Sequence, residues 1–118
     1  MKNNIRPYRI DVSEKELDQL IQRLDNTRWP DAETVSSWEQ GIPLAYAKSL
    51  ANYWINDYDW RRCEKMLNQW PNYMTSIDDI DIHFIHKPSP HPDALPIIIS
   101  HGWPGSVIEF CKVIDALT

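Results

Sequence analysis

One stretch, residues 97–106, constrains the fold of this chain more than any other. Three consecutive isoleucines, Ile97–Ile99, follow Pro96, and such a β-branched run is typical of a strand that is buried on both faces. Glycine and proline then end the strand abruptly, and the apolar residues of the segment 107–117 recur at helical spacing. The pattern predicts a strand over residues 97–100, a tight loop and a helix.

The loop between this strand and this helix has the sequence His-Gly-Trp-Pro-Gly-Ser over residues 101–106. Its glycines and proline allow the main chain to turn and to direct an N–H group at an open cleft, where it could bind an oxyanion. The pattern resembles the loop after the third strand of α/β-hydrolases, which supplies one of two oxyanion-hole donors. The resemblance implies that the backbone N–H of Trp103 is the donor and that the Trp103-Pro104 bond is cis. The residues that would shape the loop are His101, Gly102, Pro104 and Gly105.

A plainer interpretation of the loop stays open. The same residues could form an ordinary turn between a strand and a helix, with Pro104 stiffening it and Ser106 capping the helix. The role of His101 is open as well, because its ring could orient the loop through hydrogen bonds or carry a proton. We favour the orienting role because no acid or nucleophile is recognisable beside it.

Composition argues against several classes of partner. The 118 residues suffice for one small domain, and a formal net charge of -5 argues against binding to nucleic acid or to anionic membranes. No apolar run approaches the roughly 20 residues of a transmembrane helix. The first residues lead into no signal peptide, so a soluble, cytoplasmic protein is expected.

The sequence predicts neither a metal site nor a cofactor. Cys63 and Cys111 each fall on the apolar face of a predicted helix, where free, packed thiols are a more common arrangement than a disulfide. His83 and His86 are three residues apart on a predicted strand and would point to opposite faces, which is wrong for chelating one metal ion. His91 lies in a proline-rich loop and is expected to face solvent.

The N-terminal part of the chain reads as helical. Residues 5–12 predict an extended arm, after which Ser13 and Glu16 have the spacing of a capping box. The first helix should end near Asn26, and Pro43 is well placed in the first turn of the second. The three helices are predicted over residues 13–26, 43–56 and 60–70.

The hydrophobic period changes toward two from Tyr73 onward. Two alternating runs, 73–77 and 80–85, flank Asp78-Asp79 and predict a β-hairpin. The following stretch, 87–96, holds four of the nine prolines and reads as a connecting loop.

Several separated motifs follow one another along the chain, namely Arg28-Trp29-Pro30, Gly41-Ile42-Pro43-Leu44, Trp60, Trp70-Pro71 and the loop 101–106. In this order they resemble the N-terminal region of microsomal-type epoxide hydrolases. The resemblance implies an α/β fold in which three helices precede the first strands of an incomplete α/β-hydrolase sheet. Residues 1–72 would be the helical N-terminal region, and residues 73–118 the start of the α/β-hydrolase core.

The resemblance implies the chemistry of that family, in which an Asp nucleophile opens the ring of a small hydrophobic epoxide and forms an ester with it. Two lid tyrosines protonate the leaving oxygen, and a His with a carboxylate activates the water that releases a vicinal diol. The glycines of this chain are Gly41, Gly102 and Gly105, so no Gly-x-Asp-x-Gly elbow can be drawn. In that family the nucleophile, the acid and the base are expected after the loop 101–106, so the resemblance implies that this chain lacks all three and is inactive alone.

The resemblance also implies that a strand missing from this chain lies between the strands 80–85 and 97–100. Their unpaired edges predict self-association through the C-terminal third.

Three functions therefore compete. In the first, the chain is the N-terminal portion of an epoxide hydrolase, and its partner is a second copy or the rest of the hydrolase. Alternatively, it is a non-catalytic interaction or assembly protein derived from a truncated hydrolase. Least favoured is an independent enzyme that uses His101 and Ser106.

Overall fold

The computed structural model describes residues 4–118, so the first three residues of the predicted segment 1–72 lie outside it. The described part contains three helices, as the sequence predicts, and a three-stranded antiparallel sheet. The helices are α1 (Glu14–Asp25), α2 (Leu44–Asn56) and α3 (Trp60–Leu67). The strands are β1 (Arg6–Tyr8), β2 (Asn72–Ile77) and β3 (Ile80–Ile85).

The chain divides into two compact units. One unit comprises residues 11–60 and contains α1 packed on α2. The other comprises the residues up to 10 together with 61–118, and contains the sheet and nearly all of α3. The sequence division at residue 72 separates regions of a family, not packing units, and it stays a prediction.

Helix α1 begins and ends where local signals place it. The Ser13 hydroxyl accepts a hydrogen bond from the Glu16 N–H at 3.3 Å, and the Glu16 carboxylate accepts one from the Ser13 N–H at 3.2 Å, which confirms the capping box. A further hydrogen bond from the Ser13 hydroxyl lowers the pKa of Glu16. At the other end the Asn26 side chain donates to the Gln22 carbonyl at 2.8 Å.

Helix α2 begins one residue after Pro43, which occupies the N-cap position and offers no side-chain cap. The Glu33 carboxylate caps the helix instead, since it accepts a hydrogen bond from the Leu44 N–H at 2.8 Å. This hydrogen bond lowers the pKa of Glu33. Sequence spacing does not reveal the contact, since 11 residues separate the two partners.

The predicted extended arm supplies a strand of the sheet. β1 pairs antiparallel with β2, with Arg6 opposite Met74, and β2 pairs in turn with β3. Pro7 is tolerated because β1 is an edge strand, where a missing N–H breaks no necessary ladder bond. The Arg6 guanidinium lies 2.9 Å from the Asp81 carboxylate, which lowers the pKa of Asp81 and links the two outer strands.

The predicted hairpin is confirmed, with Asp78 and Asp79 as its two-residue turn. Their φ angles are 50° and 62°, both in the left-handed region. A two-residue turn with positive φ at both positions is type I′, whose twist matches that of the flanking strands. Aspartate tolerates this conformation better than most residues, but glycine adopts it without a steric penalty.

Replacing Asp79 by Gly should therefore stabilise the protein by about 0.5–1 kcal/mol, because glycine relieves the left-handed backbone of the second turn position. The urea midpoint of unfolding, followed by circular dichroism, measures the change. Asp79→Ala is the matched control, since it removes the same carboxylate but keeps a Cβ. A Gly variant no more stable than the Ala variant would contradict the turn assignment.

Few side chains of the described residues are buried, and they gather where α3 leads into β2. Leu67 and Trp70 are the buried apolar residues, with exposed fractions of 6% and 4%. Asn72 and Thr75 are the buried polar ones. This junction is the packed centre of the unit that carries the loop 101–106.

The C-terminal third corrects two expectations. The predicted strand 97–100 pairs with no strand in the described part of the chain, and Ile98 is 95% exposed instead of buried. The predicted helix 107–117 is regular only over Val107–Phe110, as a 3-10 helix, and continues as turns. Both differences have one cause: a strand needs neighbours for its hydrogen bonds, and a helix takes most of its stability from packing.

Candidate functional site

The loop 101–106 forms a tight turn closed by its own backbone. The Gly105 N–H donates to the Gly102 carbonyl at 2.8 Å. The Trp103-Pro104 peptide bond is cis, which confirms the prediction. Ser106 then occupies the N-cap position, where its hydroxyl accepts the Ile108 N–H at 3.4 Å. The loop therefore has a cis bond at its corner and a backbone hydrogen bond that closes it.

His101 contributes to this shape through its ring. Its Nδ1 lies 3.1 Å from the Gly102 carbonyl oxygen. Because a carbonyl oxygen can only accept, Nδ1 must carry the hydrogen in this contact. Within residues 4–118 the ring makes no hydrogen bond with Ser106, whose hydroxyl serves the N-cap instead. The His101 ring therefore has a hydrogen-bond partner within the loop, as an orienting role would require. The geometry gives no support to a catalytic pair of His101 and Ser106.

The two glycines of the loop lie in different surroundings. A Cβ on Gly102 would meet nothing within 4 Å, so this side of the loop is open. A Cβ on Gly105 would overlap the Glu109 carboxylate and would lie 3.1 Å from the Gly102 carbonyl oxygen. Glycine at position 105 lets Glu109 fold back over the turn.

Trp103 lies at the open corner of the loop. Its side chain is 96% exposed, and its backbone N–H has no hydrogen-bond acceptor among the described residues. An N–H group in this position can donate a hydrogen bond to a ligand oxygen without first breaking a hydrogen bond within the protein. Such a donor, fixed before the reaction, is what an oxyanion hole requires.

Sequence reasoning missed the polar centre of the buried junction, Asn72. Its side-chain amide donates to the carbonyls of Leu67 at 3.0 Å and Trp70 at 2.8 Å, where α3 ends. Its Oδ1 lies 2.9 Å from Nε2 of His83, so that ring nitrogen donates. Burial lowers the pKa of His83, which favours the neutral ring in this position. Asn72 thus joins the end of α3 to β3.

A second unforeseen contact involves Asp115, which follows the loop. Its Oδ1 accepts the indole N–H of Trp70 at 3.0 Å and also pairs with the Lys87 ammonium group. The hydrogen bond from Lys87, followed by that from Trp70, lowers the pKa of Asp115. Asp115 therefore connects the C-terminal segment to the buried junction.

The described residues contain no cluster of His, Cys, Asp or Glu that could hold a metal ion. Cys63 and Cys111 are free thiols and partly buried, as expected. Over the same residues, no helix is both long and apolar enough to span a bilayer.

The helices, hairpin and cis-proline loop are those of the beginning of an α/β-hydrolase fold, and solved structures agree. The epoxide hydrolase of Aspergillus niger is similar at a TM-score of 0.83 and 28% identity, over 98% of this chain and 30% of that one. The juvenile hormone epoxide hydrolase of the silkworm Bombyx mori is similar at a TM-score of 0.79 and 31% identity, over 97% of this chain and 31% of that one.

The sequence matches the family described as "Epoxide hydrolase N terminus" over residues 5–110, and the chain belongs to that family. A putative epoxide hydrolase of Stigmatella aurantiaca is 54% identical over 114 residues, which are 97% of this chain and 26% of the relative. Epoxide hydrolase 1 of Sus scrofa is 39% identical over 98% of this chain and 26% of its own length. The chain thus spans about a quarter of the curated relatives that it matches.

Proposed function

We propose that this chain acts as the N-terminal region of an epoxide hydrolase that converts small hydrophobic epoxides to vicinal diols. The observation that carries the proposal is the unpaired backbone N–H of Trp103 at the corner of the cis-proline loop. Family membership supports the reaction class, and the loop gives this region a chemical part in it.

The role that we propose for the Trp103 N–H group follows from the chemistry of an ester intermediate. When water attacks the carbonyl carbon of an Asp ester, the carbonyl oxygen takes up negative charge in the tetrahedral state. A fixed N–H group beside that oxygen stabilises the charge more than it stabilises the neutral ester, and so lowers the barrier. The Trp103 N–H would be one of two such donors. His101 and Gly105 would hold it in place.

The 118 residues are expected to show no epoxide turnover alone, because they offer no glycine-flanked nucleophile. The test is a hybrid enzyme, in which this chain replaces the 114 matching residues of the S. aurantiaca relative. Styrene oxide hydrolysis by the hybrid and none by the chain alone is the expected result. Turnover by the chain alone, lost in a His101→Ala variant, would contradict the proposal and favour an independent enzyme.

A non-catalytic assembly protein is the second candidate, favoured by one observation. Ile98 and Trp103 are 95% and 96% exposed, although side chains of this kind are normally covered. Such surface could bind a second copy of the chain. Sedimentation of the isolated chain would then show a dimer or larger species, and the hybrid enzyme would be inactive while the intact relative is active.

A further inference from the structure

The segment 107–118 behind the loop is joined to the rest of its unit mainly near its end. Within residues 4–118, the side-chain hydrogen bonds that reach it from other segments all go to its last four residues. Trp70 and Lys87 donate to Asp115, and the Ser89 hydroxyl donates to the Thr118 carbonyl at 3.0 Å. The 3-10 turn Val107–Phe110 is held by local bonds only.

The loop is not held from its other side. The extended stretch 97–100 that leads into it has no ladder bonds in the described structure. The bonds inside the loop, from Gly105 to Gly102 and from Ile108 to Ser106, fix its shape but not its place in the molecule. Its place therefore depends on the segment behind it and on the contacts of Asp115.

Two side chains donate hydrogen bonds to the Asp115 carboxylate and restrain its position. Trp70 is 4% exposed and belongs to the buried junction, and an indole N–H that is mostly buried needs an acceptor. Lys87 adds a charged donor to the same oxygen, but 65% of the Asp115 side chain is exposed, so water screens this pair and the bond from Trp70 is the more important contact. One carboxylate oxygen thus ties the segment to the end of α3 and to the start of the loop 87–96.

We propose that Asp115 is a positioning residue for the oxyanion donor: it holds the segment 107–118 in place, and through it the backbone N–H of Trp103. The part concerning catalysis rests on the proposed function. Asp115 itself touches neither substrate nor reacting atoms.

The anchoring is tested first in the chain alone, by hydrogen exchange followed by mass spectrometry. Asp115→Ala should speed exchange in the segment 101–118 roughly tenfold and leave the hairpin 72–85 unchanged, because the hairpin amides are protected by the ladder between β2 and β3. Asp115→Asn keeps an oxygen for Trp70 and should lie between. Asp93→Ala is the matched control, since it removes an exposed carboxylate of the preceding loop and should change neither segment.

Positioning is tested in the hybrid enzyme with styrene oxide. Asp115→Ala should lower kcat about tenfold and KM in proportion, with little change in kcat/KM, because a displaced donor slows hydrolysis of the ester and not its formation. The covalent ester should accumulate and be visible by mass spectrometry of the quenched enzyme. A residue that merely stabilised the fold would lower the amount of active enzyme without increasing the fraction present as ester.

The outcomes separate the two proposals. An inactive hybrid with faster exchange in Asp115→Ala would overturn the proposed function and keep the anchor. An active hybrid in which Asp115→Ala leaves kcat and the ester fraction unchanged would overturn the positioning role, whatever the exchange shows. Unchanged exchange in the segment 101–118 would overturn the anchor itself.

Discussion

Replacing the Trp103 peptide N–H by an ester oxygen should lower the kcat of the hybrid enzyme about 100-fold, the loss typical of removing one oxyanion donor. The substitution introduces the α-hydroxy analogue of tryptophan, so the indole ring stays while the donor is removed. It also makes the Gly102 carbonyl an ester carbonyl, which still accepts from Gly105 and His101 but more weakly. Since the donor acts on the tetrahedral state, ester hydrolysis should slow and the covalent intermediate should accumulate. Rapid-quench mass spectrometry measures both the rate and the intermediate.

Two controls separate the N–H from its surroundings. Trp103→Phe changes an exposed side chain but keeps the backbone donor, and it should retain most of the activity. The same ester substitution at Ala94, whose N–H makes a 3.3 Å contact with His91 in the connecting loop, tests the chemistry of the replacement itself. If the Trp103 ester hydrolysed styrene oxide as fast as the Ala94 ester, Trp103 would not be the donor.

Asn72→Ala is expected to cause the largest loss of stability, about 2–4 kcal/mol. Asn72 is 5% exposed, and its truncation leaves the carbonyls of Leu67 and Trp70 without their donor and His83 without its acceptor. Buried groups that lose a partner keep the full cost of their desolvation, and the missing side chain also leaves a cavity. Urea unfolding monitored by circular dichroism gives the difference in free energy of unfolding.

Two further variants show whether burial and hydrogen bonding are the cause. Asn56→Ala removes an amide that donates to the Asn52 carbonyl at 2.9 Å on an exposed helix end, and it should change the free energy of unfolding by no more than about 0.5 kcal/mol. Asn72→Asp preserves the side-chain volume but turns the donor into an acceptor facing two carbonyls. It should destabilise at least as much as Asn72→Ala at neutral pH. Equal, small losses at positions 72 and 56 would contradict this account.

The local elements were predictable because their causes are local. The capping box of Ser13 and Glu16, the stop at Asn26 and the turn at Asp78-Asp79 each depend on residues within a few positions of one another. The cis-proline loop was predictable for a different reason: its sequence is distinctive enough to resemble a known family.

The contacts that join distant segments could not be predicted in the same way. Asn72 lies between the predicted third helix and the predicted hairpin, and its side chain binds the carbonyls of Leu67 and Trp70 and a ring 11 positions away. Asp115 accepts a hydrogen bond from Trp70, 45 positions earlier, and the spacing of the two residues does not predict this contact. The Glu33 cap on α2 is a further case.

Periodicity, capping and turn chemistry are enough to predict the three helices and the hairpin, whereas the loop that presents the Trp103 N–H is recognised through its resemblance to a known family. The pairing of the arm as β1, the contacts that Asn72 and Asp115 make within their unit and the position of the isoleucine run at 97–99 outside the sheet depend on distant segments. They could not be read from local spacing, because a strand or a polar side chain in these places needs hydrogen-bond partners from elsewhere in the chain.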